Sequence, residues 1–167
     1  MTHNALLIVV PHRNDWLNKF ASERSVLQTI FPEPVFQIEH VGSTAVPGLS
    51  AKPIIDIMIG ASSLSEIDER IEAARGLGYE YMPQHEQAIP LRRFFAKPIV
   101  RPRHFHVHAV TVNSAFWHDH LLFRDALRND SRLTSECVAL KLQLARQFGE
   151  DREAYAEAKG SFISSAL

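Results

Sequence analysis

The alternation of hydrophobic and polar residues divides this chain into short strands and amphipathic helices. Short apolar runs bounded by glycine or proline indicate strands, and apolar residues that recur every three or four positions indicate helices. The predicted strands cover residues 6–10, 38–41, 53–59, 79–82, 92–95 and 104–110. The predicted helices cover residues 15–30, 63–76, 115–127 and 131–148, and a further helix begins at Asp151. This pattern predicts an α/β fold with a small mixed sheet, flanked by helices and followed by a helical C-terminal part.

Local signals at the helix ends support this assignment. Ser63 and Glu66 have the spacing of a capping box, in which each side chain bonds a backbone N–H at the helix start. Asn14 or Asp15 is placed to cap the first helix. The last predicted helix carries one apolar stripe, formed by Leu133, Cys137, Leu140, Leu144 and Phe148. Because Cys137 lies within this stripe, we expect it to be buried and not to act as a nucleophile.

Composition narrows the range of functions. The 167 residues predict a single domain that spans residues 1–167. A net charge of −1 gives no basis for a general nucleic-acid-binding surface. One cysteine excludes a disulfide framework. No apolar segment is long enough to cross a membrane, and the start lacks a basic signal region, so the predicted location is the cytoplasm. Nothing in the sequence specifies an oligomeric state.

Residues 38–60 carry the strongest chemical signal. Two apolar runs are separated by a turn that begins with Gly42 and Ser43, and the second run contains Asp56. A carboxylate in a buried-looking strand needs a compensating charge, hydrogen bonds or a metal ion. Glycine allows a backbone to approach a ligand closely, and a serine hydroxyl with free N–H groups suits phosphate oxygens. The alternative is an ordinary turn capped by Ser43, with Asp56 bonded to nearby N–H groups.

Histidines and arginines supply further candidates. The alternating strand places His104, His106 and His108 on one face, where three imidazoles could hold a transition metal such as zinc. A polar sheet face with one or two exposed histidines is the simpler explanation. Arg92 and Arg93 fit either the arginine side of a phosphate pocket or a solvated hairpin.

The string GSTAVPGLSAKPIIDI, from Gly42 to Ile57, resembles the signature of the GrpB-like family within the nucleotidyltransferase superfamily. The resemblance continues downstream and covers nearly the whole chain. It includes the segments at residues 104–107, 122–128, 140–141, 155–159 and 162–163. The resemblance implies a nucleotidyltransferase-like fold, in which a Gly-Ser turn is followed by an acidic residue on a strand. Here Ser43 and Asp56 fill those two positions.

The resemblance also implies a set of site residues and ligands. Asp56 and His106 become candidate catalytic residues, and His104 joins them as a candidate ligand of a divalent metal, Mg²⁺ or Mn²⁺ with Zn²⁺ as an alternative. The implied binding residues for a nucleoside triphosphate or another phosphorylated small molecule are Gly42, Ser43, Lys52, Arg92, Arg93, Arg124, Lys141 and Lys159. Arg124 and Lys141 alternatively form surface pairs with Asp125 and Glu136.

The chain departs from the superfamily pattern at Met58, because the superfamily has a second acid two residues after the first. Two-metal nucleotidyl transfer uses carboxylates to bridge the ions. The sequence therefore leaves two main hypotheses: a metal-dependent nucleotidyltransferase, and a non-catalytic module that senses nucleotide or binds a partner. The family also occurs fused to an enzyme of coenzyme A synthesis, which favours an accessory role. A third hypothesis is a zinc hydrolase built on His104, His106 and His108.

Overall fold

The computed structural model describes residues 9–148, which form five strands and five helices. The strands are β1 (Gln37–Val41), β2 (Ile55–Ala61), β3 (Glu80–Tyr81), β4 (Arg93–Lys97) and β5 (Phe105–Thr111). The helices are α1 (Asp15–Gln28), α2 (Leu64–Asp68), α3 (Ile71–Gly76), α4 (Ala115–Asn129) and α5 (Ser131–Phe148). Short 3-10 turns follow β1 at Ser43–Ala45 and β3 at Pro83–Gln87.

All five strands belong to one mixed sheet, in the order β1-β2-β5-β4-β3. The central pair, β2 and β5, is parallel, whereas the other neighbouring pairs are antiparallel. A parallel pair needs a crossover connection, and here the chain between β2 and β5 provides α2, α3, β3 and β4. The predicted α/β class with a small mixed sheet is confirmed.

The two faces of the sheet differ in character. One face is apolar: Ile38, Ile57, Val107 and Phe95 pack there in the main core with Trp16 and Leu27 of α1 and Ile67 of α2. We call this the α1 face. The opposite face carries a smaller cluster of Val41, Met58 and Val110 with Trp117 of α4, and we call it the α4 face. Because successive strand residues alternate between faces, the polar residues Glu39, Asp56, His106 and His108 share the α4 face.

Several predicted elements differ from those observed. Helix α1 ends at Gln28, and neither predicted residue provides its cap, because Asn14 at the N-cap makes no side-chain hydrogen bond. The single helix predicted over residues 63–76 is divided into α2 and α3, although the Ser63 capping box is present as predicted. Of the predicted strand at residues 6–10, residues 6–8 lie outside the described range, and Val10 forms an isolated bridge with Ala51.

The C-terminal helices agree closely with the sequence pattern. Asp130 caps α5 by accepting hydrogen bonds from the Arg132 and Leu133 N–H groups, at 2.9 and 3.2 Å. Cys137 and Leu144 are buried, as the apolar stripe predicts. The helix predicted from Asp151 lies outside the described residues. No helix between residues 9 and 148 has both the length and the apolar character needed to cross a bilayer.

Gly60→Ala tests the packing of α4 on the sheet. A Cβ at Gly60 would lie 2.6 Å from Val112 Cγ1 and 2.7 Å from Trp117 Cζ3. We expect the substitution to lower the free energy of unfolding by about 1–3 kcal/mol, measured by urea denaturation. Gly76→Ala is the matched control, since no atom lies within 4 Å of its added Cβ. If the two variants were equally stable, the close packing of Trp117 of α4 against Gly60 would be contradicted.

Candidate functional site

Asp56 lies on the α4 face, near the start of β2 and next to the turn that follows β1. Its side chain is 31% exposed, so the carboxylate contacts solvent near the end of this internal strand. Gly42 packs directly against it: a Cβ added to Gly42 would lie 2.7 Å from Asp56 Oδ2. Gly42 also has a φ of +71°, a conformation that L side chains rarely adopt. Both constraints require glycine at this position.

Two histidines of β5 flank the Asp56 carboxylate. His108 Nε2 lies 3.1 Å from Asp56 Oδ1, and His106 Nδ1 lies 3.7 Å from the same oxygen. The sequence analysis favoured His106 and His104 as the pair facing Asp56. The structure instead brings His106 and His108 to it, whereas the exposed His104 precedes β5 and pairs through its backbone with Lys97 and Ile55.

Arg92 fixes the orientation of His108. The Arg92 Nη1 atom lies 3.2 Å from His108 Nδ1. Because a guanidinium group only donates hydrogen bonds, Nδ1 accepts and Nε2 carries the proton. His108 therefore donates its Nε2–H to the Asp56 carboxylate and orients it. The result is a chain of hydrogen bonds from Arg92 through His108 to Asp56.

A buried lysine reaches the turn on the other side of Asp56. Lys141 of α5 is 4% exposed, and its ammonium group donates hydrogen bonds to the Ser43 hydroxyl and to the Ser50 carbonyl. The predicted binding residues Ser43 and Lys141 are thus in contact, although they are far apart in sequence. The alternative pairing of Lys141 with Glu136 is not formed, since Glu136 pairs with Arg132.

Two other predicted binding residues, Arg124 and Arg93, pair with carboxylates of the protein itself. Arg124 donates to Glu39 Oε2 at 2.6 Å and also pairs with Asp125, so it neutralises a carboxylate on the α4 face. Arg93 points to the α1 face, where it binds both oxygens of Asp68, at 2.6 and 3.2 Å. Arg93 is therefore separated from Asp56 by the sheet. The position of Lys159 lies outside the described residues.

Burial suppresses the charge of two histidines near the site. Burial lowers the pKa of His106 to about 4. The negative charge of Asp56 opposes this shift. Positive charge on the neighbouring residues adds to it, from His108, Lys52 and Arg103. Burial likewise lowers the pKa of His40 to about 4 against the opposing effect of Asp56. The imidazoles of His40 and His106 are therefore neutral at pH 7.

The donor atoms determine which metal centre these residues suit. Met58, at the second acid position, is fully buried against Val41, Val110 and Trp117, so no second carboxylate is available there. Across residues 9–148 no three His, Cys, Asp or Glu side chains are placed to hold one ion, which also removes the three-histidine zinc site. The residues do not fit a carboxylate-bridged metal pair. Asp56 is the carboxylate that would hold a single Mg²⁺ or Mn²⁺ here.

Sequence comparison identifies the family. The family model described as GrpB protein matches residues 7–167. The chain belongs to the GrpB family. The glutamate-rich protein GrpB of Alkalihalophilus pseudofirmus is 33% identical over 165 residues, covering 96% of this chain and 94% of that protein. The UPF0157 protein PA4798 of Pseudomonas aeruginosa is 39% identical, covering 95% of this chain and 65% of that protein.

One further relative is an enzyme that contains a GrpB-like part. A dephospho-CoA kinase of Mycolicibacterium paratuberculosis is 27% identical over 190 residues, which cover 95% of this chain but 44% of the kinase. The chain thus spans less than two thirds of the length of several proteins that it matches.

Structural comparison identifies the fold. The crystal structure of the GrpB protein from Enterococcus faecalis superposes with a TM-score of 0.78 at 29% identity, over 95% of this chain and 99% of that chain. The Cid1 poly(U) polymerase, in its MgGTP-bound crystal structure, superposes with a TM-score of 0.58 at 15% identity, over 83% of this chain and 44% of Cid1. This GrpB chain therefore has a nucleotidyltransferase-like fold.

Sequence reasoning missed His108 as a partner of Asp56 and Arg92 as the partner of His108. Alternation showed that the three histidines share a face, but the pairing register decides which of them meet Asp56. In the parallel β2–β5 ladder, Asp56 lies opposite His106 and Met58 lies opposite His108. Although His108 lies opposite Met58, its side chain contacts the carboxylate of Asp56, two residues away along β2. No local sequence signal predicts this diagonal contact.

Acid should destabilise the fold through its buried histidines. The pKa of His40 is depressed in the folded state, so the unfolded chain binds more protons between about pH 6.5 and pH 4, and stability falls as pH falls through this window. We expect wild type to lose about 2 kcal/mol from His40 between pH 7 and pH 5, and His40→Gln to lose less. Urea unfolding at both pH values measures this. If the stability of wild type and of His40→Gln depended on pH in the same way, the lowered pKa of His40 would be contradicted.

Proposed function

We propose that this GrpB protein binds a nucleoside triphosphate, or another phosphorylated small molecule, beside the turn that contains Gly42 and Ser43. The observation that carries the proposal is the contact between the buried Lys141 ammonium and the Ser43 hydroxyl, next to Asp56. A lysine held in this way presents a positive charge at a backbone turn, and a serine hydroxyl adds a hydrogen bond to a phosphate oxygen. The MgGTP-bound Cid1 structure of the same fold supports this choice of ligand class.

Charge complementarity supports the same ligand. Lys52 and Lys141 supply positive charge near the turn, while Asp56 supplies one carboxylate. Mg²⁺ or Mn²⁺ commonly binds through one or two carboxylates together with ligand phosphates, so Asp56 would hold the ion that accompanies a triphosphate. Such an ion would neutralise phosphate charge. Asp56 itself stays oriented through its hydrogen bond from His108.

The function favoured by this site is binding rather than two-metal transfer. Met58 lies in an apolar cluster, so the second carboxylate of the superfamily pattern could not be accommodated without burying a charge. The match to part of a dephospho-CoA kinase supports an accessory, nucleotide-sensing role in such relatives. We therefore favour a nucleotide-binding module that acts with a partner activity.

Nucleotidyl transfer is the second candidate, and the orientation of Asp56 by His108 favours it. In that reaction an acceptor hydroxyl would attack the α-phosphorus, pyrophosphate would leave, and the hydroxyl proton would pass to Asp56. Wild-type protein incubated with α-labelled ATP and a bacterial extract would then transfer label, and Asp56→Asn would not. Asp68→Asn, on the α1 face, is the matched control. Equal labelling by wild type and Asp56→Asn would exclude this role for Asp56.

Thermal unfolding with each nucleoside triphosphate tests the binding proposal. A ligand at a hundred times its dissociation constant adds about 2.7 kcal/mol, which corresponds to roughly 5–10 °C for a domain of this size. We expect Lys141→Met to lose most of this shift and Asp56→Asn to lose only the part that depends on Mg²⁺ or Mn²⁺. Lys19→Met, which removes an exposed surface lysine, should keep the full shift. Wild type that shows no shift with any nucleotide would contradict the proposal.

A further inference from the structure

Arg92 occupies an unusual position for a charged side chain. Its guanidinium lies over the rings of Phe94 and Phe116, with its central carbon 5.0 and 5.8 Å from their centroids. One terminal nitrogen donates to His108. The Nε atom is buried and makes no hydrogen bond within the described residues.

Three other arginines that pack against this sheet pair with carboxylates. Arg93 pairs with Asp68, Arg103 with Glu80 and Arg124 with Glu39. Within residues 9–148, no carboxylate forms an ion pair with Arg92; Asp56 acts on it only as a more distant charge. Burial accordingly lowers the pKa of Arg92, although a guanidinium remains protonated at pH 7.

An uncompensated, partly buried charge is costly to the folded protein. Contacts with the two rings offset part of this cost, and a hydrogen bond to an imidazole nitrogen offsets less of it than an ion pair would. A guanidinium without a carboxylate partner among the described residues, next to a candidate site, is well suited to bind an anion. The structure thus holds Arg92 in a conformation that an anionic ligand would stabilise.

Arg92 and Lys141 lie on opposite sides of Asp56. Ser43, the partner of Lys141, follows β1, whereas Arg92 precedes β4; β2 and β5 lie between these strands. With neighbouring strands about 4.8 Å apart, β1 and β4 are separated by about 14 Å. Arg92 and Lys141 therefore approach Asp56 from different strands, Arg92 through His108 and Lys141 through the turn at Ser43.

We propose that Arg92 forms a second subsite, which binds the carboxylate or phosphate group of a small organic anion. This proposal deepens the proposed function, since the Ser43–Lys141 position holds the nucleotide phosphates and the Arg92 subsite holds a second anionic group. The ring pair of Phe116 and His120, stacked with centroids 3.9 Å apart, provides a planar surface beside Arg92 for the apolar part of that ligand. His108 links the subsite to Asp56.

The consecutive arginines Arg92 and Arg93 provide a matched pair of variants. Without ligand, Arg92→Met should melt at the wild-type temperature or above it, because it removes an uncompensated charge. Arg93→Met should melt at a lower temperature, because it leaves Asp68 without its bidentate partner. If Arg92→Met lowered the melting temperature as much as Arg93→Met does, the Arg92 charge would be compensated within the fold, and that result would overturn the proposal.

Binding is measured by titrating the full chain with inorganic phosphate and with acetate while recording the arginine Nε–H signals by NMR. We expect the Arg92 signal, absent from Arg92→Lys, to shift with one or both anions, and the Arg93 signal to stay fixed. Calorimetry should also show that Arg92→Met raises the dissociation constant of the anion at the Arg92 subsite at least tenfold. A shift with phosphate alone or acetate alone identifies the anionic group. An Arg92 signal that moves with neither anion would overturn the proposal.

The thermal shift with nucleotides and the NMR titration with anions together separate the two proposals. If the nucleotide proposal fails and the Arg92 subsite exists, nucleotides give no Lys141-dependent thermal shift, while the Arg92 signal still responds to the anion. If the subsite fails and nucleotide binding exists, Arg92→Met keeps the full nucleotide shift and no Arg92 signal responds.

Discussion

The close approach of Gly42 to the Asp56 carboxylate determines how the candidate site is built. No side chain fits between the turn and Asp56 Oδ2, and the positive φ of Gly42 turns the chain sharply after β1. This turn places the Ser43 hydroxyl where Lys141 of α5 reaches it. The position of Gly42 thus brings the end of β1, the Asp56 carboxylate and helix α5 together.

Around this contact the two faces of the sheet have different physical roles. The α1 face contributes stability, because its apolar residues pack against α1 and α2 in the largest cluster. The α4 face combines a small apolar cluster around Met58 with a row of polar groups from Glu39 to His108. Burial keeps His106 neutral there, and a hydrogen bond from Arg92 orients His108. The candidate site therefore lies on the less apolar face.

Much of this arrangement could be predicted from sequence, because its signals are local. The apolar runs predicted β1 and β2, the Ser63 capping box predicted the start of α2, and the resemblance of the string from Gly42 to Ile57 to the GrpB-like signature implied the fold. The choice between His104 and His108, or between Arg92 and Arg93, could not be predicted in this way. It depends on strand register and side-chain reach, and a shift of one residue exchanges the two faces of a strand. Arg92 and Arg93, adjacent in sequence, consequently serve opposite sides of the sheet.

The separation of the site residues along the chain has a consequence for folding kinetics. Ser43 and Lys141 are 98 positions apart, and Asp56 and His108 are 52 apart. Contacts between such distant residues form late, because the intervening chain must first lose much of its conformational freedom. A nascent or partly folded chain would hold a formed β1–β2 hairpin without the lysine at its turn. Ligand affinity would then appear only when α5 has docked on the sheet, so that the ligand would bind a chain in which α5 is already in place.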